Sequence, residues 1–486
     1  MSSTPVAAVD IGASSGRVVV AELGADGIAL REIARFPNGP VEHEGRWVWD
    51  ARALFAHMMD GLAAAVPLGV RSFGIDTWAV DYGVVDASGA LIGPVVAYRD
   101  PRHMIGVERM RARLPWTDQY AISGIQDLVI NTIYQLAGED PLRLTEGTTF
   151  TMVPDLLGFW ATGTMATDVT NASSTGLVDP RTRTWSDALI AAIGAPRSAF
   201  LTPDEPGHVR GEALDARCER LELIGVATHD TASAFAGAPI VDRDRALIIS
   251  LGTWALIGYE STDAVPGPDS LALNITHELG VDRTVRVLRN VSGMWLLEEC
   301  RRVWGEHDGT APTTPDLVSA MLQAPAFAAG FDVDDPGLTA PGQSPDTIAT
   351  RLVGSWDGSR GAVVRALLES LVVRLAQRAD ELERLGGRPR EVINVVGGAS
   401  RIAPLMQWLA DATGKEVVAG PAEATAIGNA AVQWQSRGVL AGLAEARALI
   451  GALPEVRTYR PRGDRAAWQA FAERISARGI KEDRHG

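Results

Sequence analysis

Lysine is nearly missing from this 486-residue chain. Lys415 and Lys481 are the only two, and arginine carries almost all of the positive charge. That argues against an enzyme built on a Schiff-base lysine and against a P-loop, which needs its lysine on the phosphates. No G-x-x-x-x-G-K-[ST] occurs, and no G-x-G, so the dinucleotide fingerprint is absent as well. There is no H-E-x-x-H and no paired C-x-x-C, which argues against a dedicated zinc site. Cys218 and Cys300 are the only cysteines, an economy expected of a reduced, cytoplasmic protein. The first apolar stretch is broken by Asp10 and Arg17, so no secretory leader is expected. The best apolar run, "ALIISLGTWALIGY", is too short to span a bilayer, so no membrane is expected as a partner. A net charge of −15 disfavours nucleic acid as a partner. It leaves room for a nucleotide whose phosphates arrive with Mg²⁺.

The length predicts two large domains. "VAAVDIG", a turn of Ala, Ser and Gly, and "RVVVAEL" read as a β-hairpin. Half the chain later the pattern returns as "ALIISLG" and "TWALIGYE", with Ser250-Leu251-Gly252 standing where Asp10-Ile11-Gly12 stood. "RSFGIDTWAVDYGVVDASGALIG" reads as two strands, and Ala366 to Gly387 as an amphipathic helix stopped by glycine. "EVINVVGGAS" is a buried strand entering a Gly-Gly turn, and "RIAPLMQWLADATGKEVVAG" is helix, stop, strand. The fold class is therefore α/β, doubled. The expected domains are 1–241 and 242–455, with 456–486 a peripheral tail and Gly305 to Pro315 a surface loop.

Tight turns of Gly, Ser and Thr present backbone N–H groups to anions without using a charged side chain. Two such hairpins could grip a polyphosphate, with Asp10 placed to hold a hydrated Mg²⁺. Gly397 and Gly398 would let a flat ligand lie on the backbone. In "IGVATHDTASAFAGAP" the carboxylate of Asp230 sits among small residues. Asp230 or Thr231 could cap a helix beginning at Ala232, or the small residues could clear space for a substrate whose proton Asp230 takes. Asp76 and Asp81 flank Trp78, and each would suit a polyol or a plain turn; Trp78 could wall a sugar or pack in the core. His229 likewise could hold a hydroxyl or simply pack.

The segments Asp10 to Arg17 (D-x-G-x-x-x-x-R), Leu251 to Thr253 (L-G-T) and Gly397 to Ser400 (G-G-A-S) resemble the two phosphate loops and the adenosine loop of the FGGY carbohydrate kinases, which share the actin and Hsp70 ATPase fold. With "VAYRDPR", "GIQDLVINTIYQL", "VPDLLGFWATG", "TNASSTGLVDPRTRTW", "THDTASA", "NVSGMWLLEEC" and "AGPAEATAIGNAAVQ", the ordered set is most similar to the branch of that family whose acceptor is L-rhamnulose. The resemblance implies two actin-like (ribonuclease H-like) domains with an ATP and sugar cleft between them, which close on their ligands. It assigns Ala13, Ser14, Ser15, Gly16, Arg17 and Thr253 to the phosphates, and Asn290, Glu298, Gly397, Gly398 and Ala399 to the nucleotide. Ala79, His229, Asp230 and Thr231 go to the sugar, Asp230 as proton acceptor; beside them Asp76, Trp78 and Asp81 stay sugar candidates on the residue reading above, and a helix starting at Thr231 would keep Asp230 ionised through its dipole. Asp10 goes to Mg²⁺. Three departures stand out: Glu298 in place of a glutamine, Ala79 in place of a glycine, and Ala399 in place of a third glycine. The implied activity is ATP-dependent phosphorylation of L-rhamnulose in a cytoplasmic monomer or homodimer. The alternatives are another ketose such as L-fuculose or xylulose, or a non-catalytic ATP-binding switch.

Overall fold

A computed structural model describes residues 4–25, 27–139, 142–338, 344–463 and 465–482. The chain divides into two compact units. Unit 1 comprises Met1–Val241, Glu260–Leu288 and Glu423–Leu453; unit 2 comprises Asp242–Tyr259, Arg289–Ala422 and Pro454–Gly486. Val241 to Asp242 is thus the first of five places where the chain passes from one unit to the other.

Unit 1 opens with β1 (Thr4–Ile11), β2 (Ser15–Gly24) and β3 (Gly27–Pro37), followed by α1 (Ala51–Ala65) and β4 (Ser72–Thr77). After α2 (Val153–Thr162) come β5 (Val209–Glu212), β6 (Glu222–Ile224) and α3 (Asp230–Ala236). Unit 2 begins with β7 (Ala246–Leu251) and β8 (Trp254–Ser261). The chain then makes the hairpin of β9 (Thr276–Leu279) and β10 (Val285–Ser292), whose paired residues lie in unit 1. It continues in unit 2 with α4 (Trp295–Asp308), α5 (Arg360–Gly386), β11 (Val392–Val396), α6 (Ala403–Thr413) and β12 (Glu416–Ala419). α7 (Ala424–Ser436) belongs to unit 1, and β13 (Arg457–Tyr459) and α8 (Arg465–Glu482) to unit 2.

In unit 1 the six-stranded sheet runs β5-β6-β4-β1-β2-β3. β1 pairs antiparallel with β2 and parallel with β4. Unit 2 repeats this plan, with β7 antiparallel to β8 and parallel to β11, then β12 and β13 outward. The doubled hairpin read from the sequence is therefore a doubled sheet motif. β1 and β4 are buried on both faces; β1 reads as a nearly continuous apolar run, whereas β4, "SFGIDT", buries polar residues at alternate positions as well. Val9, Ile11, Phe73 and Ile75 pack there with Leu54, Met58 and Leu62 of α1 and Leu156 and Leu157 of α2.

Two local expectations change. The stretch Gly305 to Pro315 is largely helical: α4 runs to Asp308 and a further helix starts at Thr314, leaving a short connection. Proline at the first turn of that second helix starts it rather than breaking it. The end of the chain is not merely peripheral, since β13 adds an edge strand to unit 2's sheet and α8 buries Trp468 and Phe471. No helix among the described residues is long and apolar enough to cross a membrane.

Candidate functional site

Three carboxylates gather where the strands of unit 1 end. Asp10 on β1 is the register partner of Asp76 on β4, and of Arg17 on β2. One residue on, Thr77 bridges in parallel to His229, so Asp230 enters beside the same strand ends. Arg17 donates twice to Asp10 Oδ2, at 3.1 and 2.7 Å, and its other nitrogen pairs with Glu423. Asp76 is wholly buried. Its Oδ2 accepts from Asn429 Nδ2 at 2.6 Å, and its Oδ1 has no partner. Burial, then the charge of Asp10, drives the Asp76 carboxyl well above the usual carboxylate range. The turn between β1 and β2, which holds Ala13 and Ser14, is braced by Asn38, whose side chain donates to Gly12 O at 2.7 Å. Gly16 lies under the ring of Phe36, and any Cβ there would collide with it.

Asp230 is the first residue of α3, and His229 is its N-cap, so the helix starts two residues before the expected Ala232. Asp230 Oδ1 accepts from Thr231 N at 2.5 Å and Thr231 Oγ1 at 3.1 Å, and lies 3.5 Å from His229 Nε2. The side chain remains 32% exposed. The helix dipole was expected to hold Asp230 ionised. Burial, with the charge of Asp10 added, outweighs the His229 and Thr231 contributions and raises its proton affinity above the ordinary value.

The small residues around Asp230 serve a helix crossing. A Cβ on Gly237 would lie 2.0 Å from Ala424 O, and one on Gly428 would lie 1.8 Å from Ser233 O. So α3 and α7 approach backbone to backbone at Ser233 and Gly237, while the Asp230 side chain, at the start of α3, stays partly exposed. The crossing carries Asn429 to Asp76, and Gln433, one turn on, to Ser72 Oγ and Ala7 O.

Asp81 needs correction. It was expected to face a polyol, but it is fully buried and holds four donors: Trp49 Nε1 (2.6 Å), Trp78 Nε1 (2.9 Å), Tyr98 N (3.2 Å) and Gln135 Nε2 (3.1 Å). Burial nonetheless pushes its carboxyl up to about 6. Its work is to orient two indoles, which pack 4.3 Å apart. Trp78 is packed in the core against Trp49. Between Ala79 and Asp81, Val80 has φ 69°, a left-handed conformation that a β-branched residue adopts only under constraint. Its carbonyl is clamped by Thr132 Oγ1 and Gln135 Nε2.

In unit 2 the Leu251–Thr253 turn joins β7 to β8. It is held by Met294 N on Gly252 O (3.1 Å) and Trp295 N on Thr253 O (3.0 Å). Gly397 has φ 94°, and a Cβ there would meet Leu251 O at 2.8 Å, so the Gly397–Ala399 turn and the Leu251–Thr253 turn meet. Gly252 and Gly398 face open space. Ala399 is buried beneath its turn, while Asn290 lies near the end of β10. Glu298, in the first turn of α4, is exposed and paired with Arg301 at 2.7 Å, so its charge is both solvated and matched.

Several residues escaped the sequence reading. Asp168 Oδ1 accepts from Thr228 N and Oγ1 and so fixes the segment that delivers His229. Glu278 and Arg286, cross-strand partners on the β9–β10 hairpin, back His229: Arg286 Nη2 is 3.2 Å and Glu278 Oε2 3.4 Å from its Nδ1. Asn429 and Gln433, four apart on one helix face, were the signal available for α7.

The model of the FGGY family of carbohydrate kinases, N-terminal domain, matches residues 6–219, and that of the C-terminal domain matches residues 247–436. A rhamnulokinase of Bacteroides thetaiotaomicron is 37% identical over 479 residues, covering 95% of this chain and 97% of its own. One from Enterococcus faecalis is 35% identical, covering 91% of each. Among solved structures, a Plasmodium falciparum glycerol kinase with ADP aligns with TM-score 0.80 at 15% identity, over 98% of each chain. A xylulose kinase from Lactobacillus acidophilus aligns at 0.79 with 16% identity, over 98% of this chain and 97% of its own.

Proposed function

The chain belongs to the FGGY family of carbohydrate kinases, and on that premise we propose that it transfers the γ-phosphoryl group of ATP to the C1 hydroxyl of L-rhamnulose, giving L-rhamnulose 1-phosphate and ADP. The near full-length similarity to rhamnulokinases supports the choice of acceptor. The observation that carries the chemistry is Asp230: an accessible carboxylate whose Oδ1 is engaged by Thr231 and faced by His229, leaving Oδ2 to receive a proton.

Phosphoryl transfer asks the protein mainly for alignment and charge placement. The sugar oxygen attacks the γ-phosphorus as its proton passes to Asp230 Oδ2. The bond from the γ-phosphorus to the bridging oxygen breaks, and ADP leaves. A raised proton affinity makes Asp230 a stronger base while it is ionised. Ala13 and Ser14 of the turn, Ser15 to Arg17 at the start of β2, and Thr253 are assigned to the phosphates, and Asn290 and the Gly397–Ala399 turn to the nucleotide; Trp78, Ala79, His229 and Thr231 are assigned to the sugar, with Asp76 behind them. Glu298, exposed on α4, stays a candidate for the outer edge of the nucleotide.

For Mg²⁺ the fit is partial by design. No group of three or more His, Cys, Asp or Glu among the described residues is arranged to hold a metal ion. Asp10, held by Arg17 with Asp76 Oδ1 unpartnered beside it, suits an ion that draws its remaining ligands from phosphate and water. Bound there, the ion would neutralise phosphate charge. Two buried free cysteines, Cys218 and Cys300, fit a reduced cytoplasmic setting.

The test is ADP release across L-rhamnulose, L-fuculose, D-xylulose and no sugar, with the product identified by ³¹P NMR. Turnover on L-rhamnulose well above the others is expected. Turnover confined to another ketose would reassign the acceptor, and ATP turnover indifferent to sugar would favour the switch.

A further inference from the structure

Arg286 is a fully buried guanidinium at the back of the site, paired with Glu278 at 3.0 Å. Neither residue reaches Asp230 directly; both reach His229. A guanidinium has donors and no acceptor, so the 3.2 Å approach of Arg286 Nη2 makes His229 Nδ1 an acceptor. The ring proton must then sit on Nε2, the nitrogen 3.5 Å from Asp230 Oδ1. Glu278 Oε2 lies 3.4 Å from the same nitrogen, Nδ1, but makes no hydrogen bond, so the guanidinium is the partner of Nδ1. Burial alone would raise the Glu278 carboxyl. The adjacent Arg286 charge holds it instead at about 2, an anion whose part is to anchor the guanidinium 3.0 Å away.

We propose that Glu278 and Arg286 are positioning residues that fix His229 as its Nε2–H tautomer, and thereby leave Oδ2 of Asp230 as the oxygen that takes the acceptor's proton. This rests on the kinase reading above. The arrangement follows the logic by which a residue behind a catalytic histidine sets its tautomer, here with a guanidinium donor where an acceptor is more usual. The hairpin geometry supports it: Glu278 and Arg286 are directly opposed across β9 and β10, and Arg286 Nε is tied to Leu279 O at 3.2 Å, so the guanidinium cannot swing away.

The direct test is ¹⁵N NMR of histidine-labelled resting protein, with His229→Gln to assign the signal. Protonation at Nε2 is expected, and protonation at Nδ1 would overturn the proposal. This reading needs no acceptor, so reassignment of the ketose leaves it standing. Arg286→Met alone strands a buried anion and risks the fold, whereas replacing both members of such a pair with apolar residues is often neutral for stability. Glu278→Leu/Arg286→Met should therefore fold, show both His229 tautomers, and lose about tenfold or more in kcat with the KM for ATP within about twofold. Arg286→Lys, which keeps a donor, should retain the tautomer and more of the rate. A folded double variant with unchanged kcat would defeat the proposal.

Discussion

Asp230→Asn preserves the side chain's volume and the acceptor that Thr231 addresses, so the fold and ATP binding should survive. What is lost is the base, and kcat should fall by about 10²–10⁴. A variant keeping a tenth or more of the rate would remove Asp230 from that role. Because burial raises its proton affinity, kcat of the native enzyme should fall on acidification with a midpoint above the ordinary aspartate range; protonation there removes the base, so the loss lies on the acid side. Asp10→Ala should increase the Mg²⁺ needed for half-maximal rate and lower kcat more than it raises the KM for sugar. An unchanged metal titration would contradict it. Asp10 and Asp230 were legible in the sequence because their motifs sit at strand and helix ends. Glu278 and Arg286 were not: they lie far from His229 in sequence, and in "THELGVDRTVRV" they look like the polar positions of an ordinary hairpin. Asp81 misled because an aspartate at a strand end looks solvent-facing until four donors are counted around it.

The crossing of α3 and α7 is the element on which the site depends. Gly428→Ala places a Cβ 1.8 Å from the Ser233 carbonyl oxygen and 2.7 Å from Gly237 N, and neither backbone can yield without the helices parting. The cost should lie at or beyond the upper end of the about 1–3 kcal/mol typical of overpacking. Denaturation midpoints should fall for Gly428→Ala and Gly237→Ala alike, and kcat with them, since α3 carries Asp230 and α7 carries Asn429. An unchanged midpoint would remove the close crossing from the account. The small-residue run was visible in "THDTASAFAGAP", but its partner was not, because Ala424 to Ser436 lies nearly two hundred residues away. The strands flanking the turns were legible from their apolar runs. The helix running to Asp308 was not, because Gly, Pro and Thr beyond it dominate the local composition.

At the scale of the whole chain, the doubled hairpin announced two related halves, but sequence order did not say which later segments complete the first. Residues 1–241 alone lack Glu278, Arg286, Asn429 and Trp434, whose indole donates to Thr4 O. Expressed as a fragment, 1–241 should keep secondary structure while losing near-UV circular dichroism and binding ANS, the behaviour of a chain without fixed packing. A sharp, cooperative melt of that fragment would show that the later segments are dispensable.

The five passages between units also bear on how the protein is made. Unit 1 opens with β1 and is completed only by α7 and the residues up to Leu453. At about 5–20 residues per second, β1 and β4 wait roughly ten to forty seconds after Val241 emerges before Asn429 exists to meet Asp76. Through that interval the face of the sheet that α7 will cover, lined by Val6 and Val226, has no lid. The nascent chain should therefore leave that apolar face open to chaperone binding until α7 has been made.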